Sequence, residues 1–226
     1  MFNIDDIEYL QAGFEIRFQS NLFILERRSA EQLSKKVKDV FPMRGQYSEK
    51  LLSYTNNHQT QAHVGLNNII LQMEEPVNLQ LFSGYINKFA PDAAKIFEMS
   101  NIARIGFRLS TLWAKDSLEE ANQCYFQLMK IDKSNIDEIG SVVGFSSSVL
   151  LKSDIFATNI VINPAIQQKM LMNFKDGSTN DVKYGIMVTS DFFIEGGVID
   201  IKISDFTKHA VDNFNTNVIK FLNSVV

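Results

Sequence analysis

The sequence predicts an α+β fold, an antiparallel sheet packed by helices on one face. Strand-like alternation and helical spacing follow one another through the first half of the chain. Four consecutive strand-like stretches, a late meander, then fill most of the second half, and a long amphipathic helix closes it. A single domain over residues 1–226 is the simplest organisation. Two intertwined halves, about 1–115 and 116–226, are the alternative.

The first half alternates strands with helices. Residues 12–19 alternate apolar and polar side chains, which predicts a half-buried strand. A helical stripe follows, with Ser29 as the expected N-cap and Pro42 beyond its end. Residues 43–61 are polar and weakly patterned, so we expect a mobile loop there. Further strands are expected at 63–75 and 101–114, and helices at about 82–97 and 117–129.

The second half changes to consecutive strands joined by turns. Turn chemistry lies at Asp176-Gly177 and at Gly196-Gly197, the second pair being typical of a tight hairpin. The four strand-like stretches cover residues 140–152, 155–164, 182–193 and 196–204. From Ser204, the expected N-cap, apolar residues recur at helical spacing and predict an amphipathic helix that lies across the sheet.

Composition restricts the class of function. The 226 residues are 45% hydrophobic and include 18 Phe, enough for a well-filled core. The formal net charge of −4 speaks against non-specific nucleic-acid binding, which needs a basic surface. Cys124 is the single cysteine, so no intrachain disulfide or thiolate metal cluster is expected. With no signal-peptide pattern and no apolar run near the ~20 residues of a membrane span, we expect a cytoplasmic protein that does not enter the membrane.

Familiar catalytic patterns are missing from the sequence. It contains no phosphate-binding glycine loop, no zinc-protease motif and no nucleophile-elbow motif. The three histidines have no nucleophile near them in sequence: His58, His63 and His209. We therefore expect no catalytic residues, no metal and no cofactor.

Two short patterns could still carry chemistry. The serines of 144–149 lie in an alternating strand, where a polar sheet surface is the better interpretation than a serine nucleophile. Asp200 and Lys202 fall on the same face of a predicted strand. That pair keeps a metal-dependent nuclease open as a further alternative.

Four charged residues on two predicted strands form the candidate binding site. Glu15 and Arg17 lie on the first strand, Arg104 and Arg108 on the third, and both strands are apolar on the opposite face. If the strands are neighbours, Glu15 can pair with an arginine, and three arginines against one glutamate make the patch positive. Gly106 between the arginines would leave a dip for a ligand or a partner backbone. The alternative is a solvated face with loose ion pairs.

Three segments resemble a sporadically distributed family of functionally uncharacterised bacterial proteins. "YLQAGFEIRF" (9–18) resembles its FEIRF-like first strand, and "DFTKHAVDNFNTNVIKFLNSV" (205–225) its closing amphipathic helix. "IARIGFRLSTLW" (102–113) resembles its central RIGLRYIN-like strand, in which Arg104, Gly106 and Arg108 match and the following residues depart. The resemblance implies a similar α+β architecture and no established activity. By analogy, its patchy distribution suits a defence, toxin or phage-related locus.

The leading functional hypothesis is a non-enzymatic binding or adaptor protein in a multi-protein assembly. Its protein partner would dock on the sheet or on the last helix, and a homo-oligomer stays open. The alternative is a sensor of a small molecule or anionic ligand, bound between the sheet and the last helix with Arg104 and Arg108.

Overall fold

Nine antiparallel strands form one sheet within the described part of the chain, in the order β2-β3-β4-β5-β1-β6-β9-β8-β7. The computed structural model describes residues 6–20, 22, 26–48, 51–56, 59–131, 144–173, 177–196 and 202–224. The strands are β1 (Ile7–Phe18), β2 (Met43–Ser48), β3 (Leu51–Thr55), β4 (Thr60–Gly65), β5 (Asn68–Glu74), β6 (Ile102–Lys115), β7 (Ser147–Lys152), β8 (Ala157–Asn173) and β9 (Gly177–Glu195).

The helices connect or follow these strands. They are α1 (Arg27–Val37), α2 (Leu79–Ile96), α3 (Leu118–Met129), α4 (Ile203–Asn213) and α5 (Ile219–Ser224). A π-helical turn, Phe214–Val218, joins α4 to α5, so that the last three segments form one continuous C-terminal helix. No helix in the described ranges is long and apolar enough to cross a lipid bilayer.

The helices pack on one face of the sheet. Phe82 of α2 stacks against Phe107 of β6, with ring centroids 6.0 Å apart. At the other end, Phe206 of α4 lies 6.4 Å from Phe156, which immediately precedes β8. The alternation in β1 puts Ala12, Phe14, Ile16 and Phe18 in this core, each at most 4% exposed. The α+β prediction with helices on one face is therefore confirmed, and we call the opposite side of the sheet the open face.

The order of elements repeats about the β1–β6 pair. One set runs β1, α1, β2 to β5, α2, and the other runs β6, α3, β7 to β9, α4. From this centre outward, the sheet order is β1-β5-β4-β3-β2 on one side and β6-β9-β8-β7 on the other. Phe14 pairs with Phe107 in the middle, and each follows a glycine. The chain passes from the first set to the second between α2 and β6. Four strands follow α1 in the first set and three follow α3 in the described part of the second, so β2 has no counterpart there.

The loop predicted for residues 43–61 is wrong, because this stretch supplies β2, β3 and the start of β4. Only two large apolar side chains of this stretch show the alternation that is typical of a strand. Leu52 and Tyr54 point into the core, and the Tyr54 ring lies 5.2 Å from that of Phe89. The residues that alternate with them, Leu51, Ser53 and Thr55, face the open side, and Ser53 is buried there. The single strand predicted at 63–75 is likewise interrupted, by a turn between β4 and β5.

Three of the four strand-like stretches of the second half are found as β7, β8 and β9. Most of the fourth, 196–204, lies outside the described residues, and its last two residues belong to α4. Of the predicted caps, Ser117 is confirmed, because its hydroxyl accepts a hydrogen bond from the Glu120 amide at 3.1 Å. Ser29 and Ser204 lie inside α1 and α4, so those two cap predictions are wrong.

Candidate functional site

The predicted site residues come together at the centre of the open face. β1 pairs with β6 in a register that sets Glu15 opposite Gly106 and Arg17 opposite Arg104. β9 flanks β6 on its other side. The period-two pattern had placed the charged residues of each strand on one face, and the pairing of the two strands joins them into one group.

Arg104 is the centre of this group. Its Nη1 lies 3.1 Å from Oε2 of Glu15, its Nη2 2.8 Å from Oδ2 of Asp191, and its Nε 2.9 Å from Oε1 of Glu195. The guanidinium carbon also lies 5.0 Å from the centre of the Phe193 ring. The side chain is only 11% exposed. Each nitrogen of the guanidinium group therefore already donates to a carboxylate, and the residue bridges β1, β6 and β9.

Gly106 makes room for Arg104. A Cβ at position 106 would lie 2.7 Å from the Nη1 atom of Arg104, so the guanidinium occupies the space above the glycine. Because Glu15 lies directly across the strand pair from Gly106, the guanidinium reaches it over the glycine. The space directly above Gly106 is therefore filled by the protein's own side chain, and the groove that Gly106 helps to line opens beside the guanidinium.

The cluster is balanced rather than positive. Arg17 lies 3.0 Å from Glu15, and Nη2 of Arg108 lies 3.6 Å from Asp191. With Asp191 and Glu195 from β9, three carboxylates face three guanidinium groups, which corrects the expected excess of positive charge. Sequence reasoning missed both carboxylates. The alternation in "SDFFIE" (190–195) sets them on one face, but nothing in it says that β9 lies beside β6.

A shallow groove follows β1 beside the cluster. Its volume is about 250 Å³, and its lining includes Gln11 and Gly13 of β1 and Ile70 and Gln72 of β5. The floor is open at Gly13, where the nearest side-chain atom to an added Cβ would be 3.9 Å away. The exposed cations at the groove are Arg17 and Arg108, whose side chains are 57% and 60% exposed. These two, rather than Arg104, can receive a carboxylate from another molecule.

Two serines of 144–149 form hydrogen bonds to side chains of the neighbouring helix and strand. The Ser147 hydroxyl lies 2.5 Å from the hydroxyl of Tyr125 in α3, and Ser148 donates to Oδ1 of Asn159 at 2.8 Å. Both contacts fit the polar-surface interpretation of this stretch.

The remaining titratable candidates are scattered. His63 lies in β4 opposite Ile70, and burial lowers its pKa. Cys124 is half-buried in α3, and burial raises the pKa of its thiol. His209 is exposed on α4, while His58 and Asp200 lie outside the described residues. In the part of the chain that is described, no three His, Cys, Asp or Glu side chains group in a way that could hold a metal ion.

No protein-family model matches the sequence, and no curated protein matches it. The resemblance to an uncharacterised bacterial family stays a prediction, and function is inferred from the geometry of the open face.

Proposed function

We propose that this is a non-enzymatic binding protein, an adaptor that docks a protein partner on the open face of its sheet. The observation that carries the proposal is the mixed character of this face. An antiparallel sheet that only meets water alternates apolar residues inward with polar residues outward. Here the outward positions also carry large apolar side chains that are partly or largely exposed, namely Ile70, Leu150, Val161, Met187 and Phe193.

These apolar residues extend across the sheet on both sides of the charged cluster. Ile70 and Phe193 lie in one row with Glu15 and Gly106, on β5, β1, β6 and β9. Towards the β7 edge, Leu150 is 66% exposed. Apolar surface next to fixed charges is typical of protein-interaction sites, because a partner gains from burial and is oriented by ion pairs.

The exposed charges indicate the kind of partner. Arg17 and Arg108 stand at the groove with more than half of each side chain exposed. Their planar guanidinium groups suit the carboxylates of an acidic protein segment. If the family resemblance holds, the assembly belongs to a bacterial accessory locus in the cytoplasm.

A pull-down from the native host at low salt, with mass spectrometry of what is retained, tests this function. The open-face variant is Arg17→Glu/Arg108→Glu, and the matched control is Lys36→Glu/Lys38→Glu, two exposed positions on and just after α1. Both variants change the net charge equally. We expect a protein retained in fixed proportion by the parent and the control and lost by the open-face variant.

Two results would overturn the proposal. One is a partner that is retained equally by the open-face variant, because docking would then be elsewhere. The other is retention of no protein together with release of a small molecule on denaturation, which would make the protein a ligand sensor.

A further inference from the structure

Two glycines lie on neighbouring strands at the centre of the open face, and they differ in what covers them. Above Gly106 of β6 lies the guanidinium of Arg104. Above Gly13 of β1, an added Cβ would meet its nearest atom, Cβ of Arg108, at 3.9 Å, which is an ordinary van der Waals distance. The groove of about 250 Å³ includes this point. Gly13 is therefore a position where a side chain has room and the sequence supplies none.

The backbone does not require glycine at position 13. Gly13 lies in the interior of β1, between β5 and β6, and its φ is not positive, unlike that of Gly196. A glycine inside a strand weakens the sheet, because it has no side chain to pack and loses more conformational freedom on folding. Such a glycine is typical of a place where a ligand or another chain comes close to the backbone. The open space above Gly13 therefore points to an occupant from another molecule.

The polar side chains that border Gly13 are engaged with one another. The side-chain amides of Gln11 and Gln72 both donate to Oε1 of Glu74, at 2.9 and 2.6 Å. Glu15, the next residue of β1 on the open face, is held by two guanidinium groups. An occupant at Gly13 is therefore recognised mainly by its shape and by the surfaces it packs against, rather than by hydrogen bonds.

The size and the walls of the groove favour an aromatic side chain. Small-molecule sites usually enclose about 300–1,000 Å³, so the groove is smaller and suits one large side chain. Ile70 supplies a partly exposed apolar wall. Arg108, directly opposite Gly13 on β6, is 60% exposed and supplies a guanidinium, on which aromatic rings pack well. The same face already holds such a pair, since the guanidinium carbon of Arg104 lies 5.0 Å from the centre of the Phe193 ring.

We propose that an aromatic side chain of the protein partner, a tryptophan or a tyrosine, inserts into the groove over Gly13 and packs against the guanidinium of Arg108. The proposal rests on the proposed function, since it names the group by which the partner docks on the open face. Tryptophan and tyrosine are enriched among the few residues that dominate the binding energy of protein interfaces. A carboxylate of the partner can pair with Arg17, four residues further along β1, at the same time.

Single amino-acid probes test the proposal on the full chain. The amide resonances of Gly13 and Gly106, which both line the groove, are followed by NMR during titration with N-acetyl-tryptophanamide, N-acetyl-leucinamide or N-acetyl-glutamate amide. We expect saturable shifts with the tryptophan probe and an affinity at least threefold higher than for either other probe. Tighter binding of the glutamate probe would overturn the proposal, because the groove would then receive a carboxylate.

Variants of the groove separate an occupant at Gly13 from a structural effect. Gly13→Val fills the groove with a residue that suits a strand, so the unfolding temperature should not fall, while the affinity for the tryptophan probe, followed at Gly106, should fall at least tenfold. The matched control is Gln61→Val, an exposed open-face residue outside the groove, which should leave that affinity unchanged. Arg108→Met should weaken the tryptophan probe about threefold and leave the leucine probe unchanged.

The pull-down described above, repeated with Gly13→Val, extends the test to the partner. Loss of the partner from Gly13→Val and its retention by Gln61→Val would support the aromatic anchor. Equal affinities for the tryptophan and leucine probes, or an unchanged affinity in Gly13→Val, would overturn it. A partner that is retained by Gly13→Val but lost by Arg17→Glu/Arg108→Glu would also overturn the anchor and leave the open face as the docking surface. Failure of the anchor is thus distinguishable from failure of the proposed function.

Discussion

The guanidinium of Arg104 lies directly over Gly106 and crosses it to reach Glu15, 3.1 Å away on the neighbouring strand. The same group holds two carboxylates of β9. The order of elements repeats about β1 and β6. The side chain of Arg104 joins these two strands on the open face, in addition to the backbone hydrogen bonds between them. This arginine therefore stabilises the middle of the sheet, whereas Arg17 and Arg108 beside it have more than half of their side chains exposed.

Arg104→Met should destabilise the protein by about 2–4 kcal/mol. The substitution removes a cation from Glu15 and Asp191, which are 21% and 14% exposed, and loss of one partner of a buried ion pair costs roughly 3–5 kcal/mol. The matched control is Arg108→Met, whose side chain is 60% exposed and whose loss should cost at most about 1 kcal/mol. Urea unfolding measures both. Equal costs would show that Arg104 has no special structural role.

Gly106→Ala and Gly84→Ala should change stability in opposite directions. The new methyl group at 106 displaces the Arg104 guanidinium and weakens its contact with Glu15, a charged hydrogen bond whose loss costs about 2 kcal/mol. Gly84 lies on the exposed side of α2, where a Cβ would meet nothing within 4 Å, so alanine should stabilise by about 0.5–1 kcal/mol. Thermal unfolding of the two variants shows whether each substitution raises or lowers the stability of the protein. A stabilising Gly106→Ala would contradict the described position of Arg104.

The Ser147 and Tyr125 hydroxyl pair should be a stabilising contact between α3 and β7. Tyr125 is 1% exposed, so Tyr125→Phe should cost about 1 kcal/mol, and Ser147→Ala about 1–2 kcal/mol because it leaves the buried tyrosine hydroxyl without this partner. A double-mutant cycle by urea unfolding should give a coupling energy of roughly 1 kcal/mol. If Ser147→Ala lost no stability, the result would contradict a stabilising role for this hydrogen bond.

Protonation of His63 should destabilise the folded state. Burial lowers the pKa of this histidine below its usual 6.5, so just below that pH the unfolded chain binds the proton more readily than the folded one. The stability contributed by neutral His63 is present above about pH 6.5 and falls as the pH is lowered through the depressed pKa. An NMR titration of the imidazole should give a midpoint below 6.5. A midpoint at or above 6.5 would contradict this assignment.

The sequence predicted which side chains share one face of a strand better than it predicted which strands are adjacent in the sheet. Period-two alternation put Glu15 and Arg17 on one side of β1, and Arg104 and Arg108 on one side of β6, since facing is a local property. The carboxylates of β9 that complete the cluster come from positions more than 80 residues further along the chain than Arg104. Their proximity depends on the order of strands in the sheet, which no local pattern contains.

Weak local patterns account for the loop that was wrongly predicted. In residues 43–61, buried Leu52 and Tyr54 alternate with Leu51, Ser53 and Thr55, and two inward apolar positions are too few to define a period. Gly106 shows a different limit of the sequence. A glycine in a strand indicates close approach, but it does not say whether the approaching group is a ligand or, as here, the side chain of Arg104 two residues earlier.

The most direct measurement is site-specific photo-crosslinking in the native host. A photoreactive amino acid replaces Gln72, which lines the groove on the open face, or Gln32, which is exposed on α1 on the helical side. If the open face is the docking surface, the probe at Gln72 should give a discrete crosslinked protein, and the probe at Gln32 should not. A crosslinked protein from Gln32 alone, or the same one from both positions, would show that docking is not confined to the open face and would contradict the central claim.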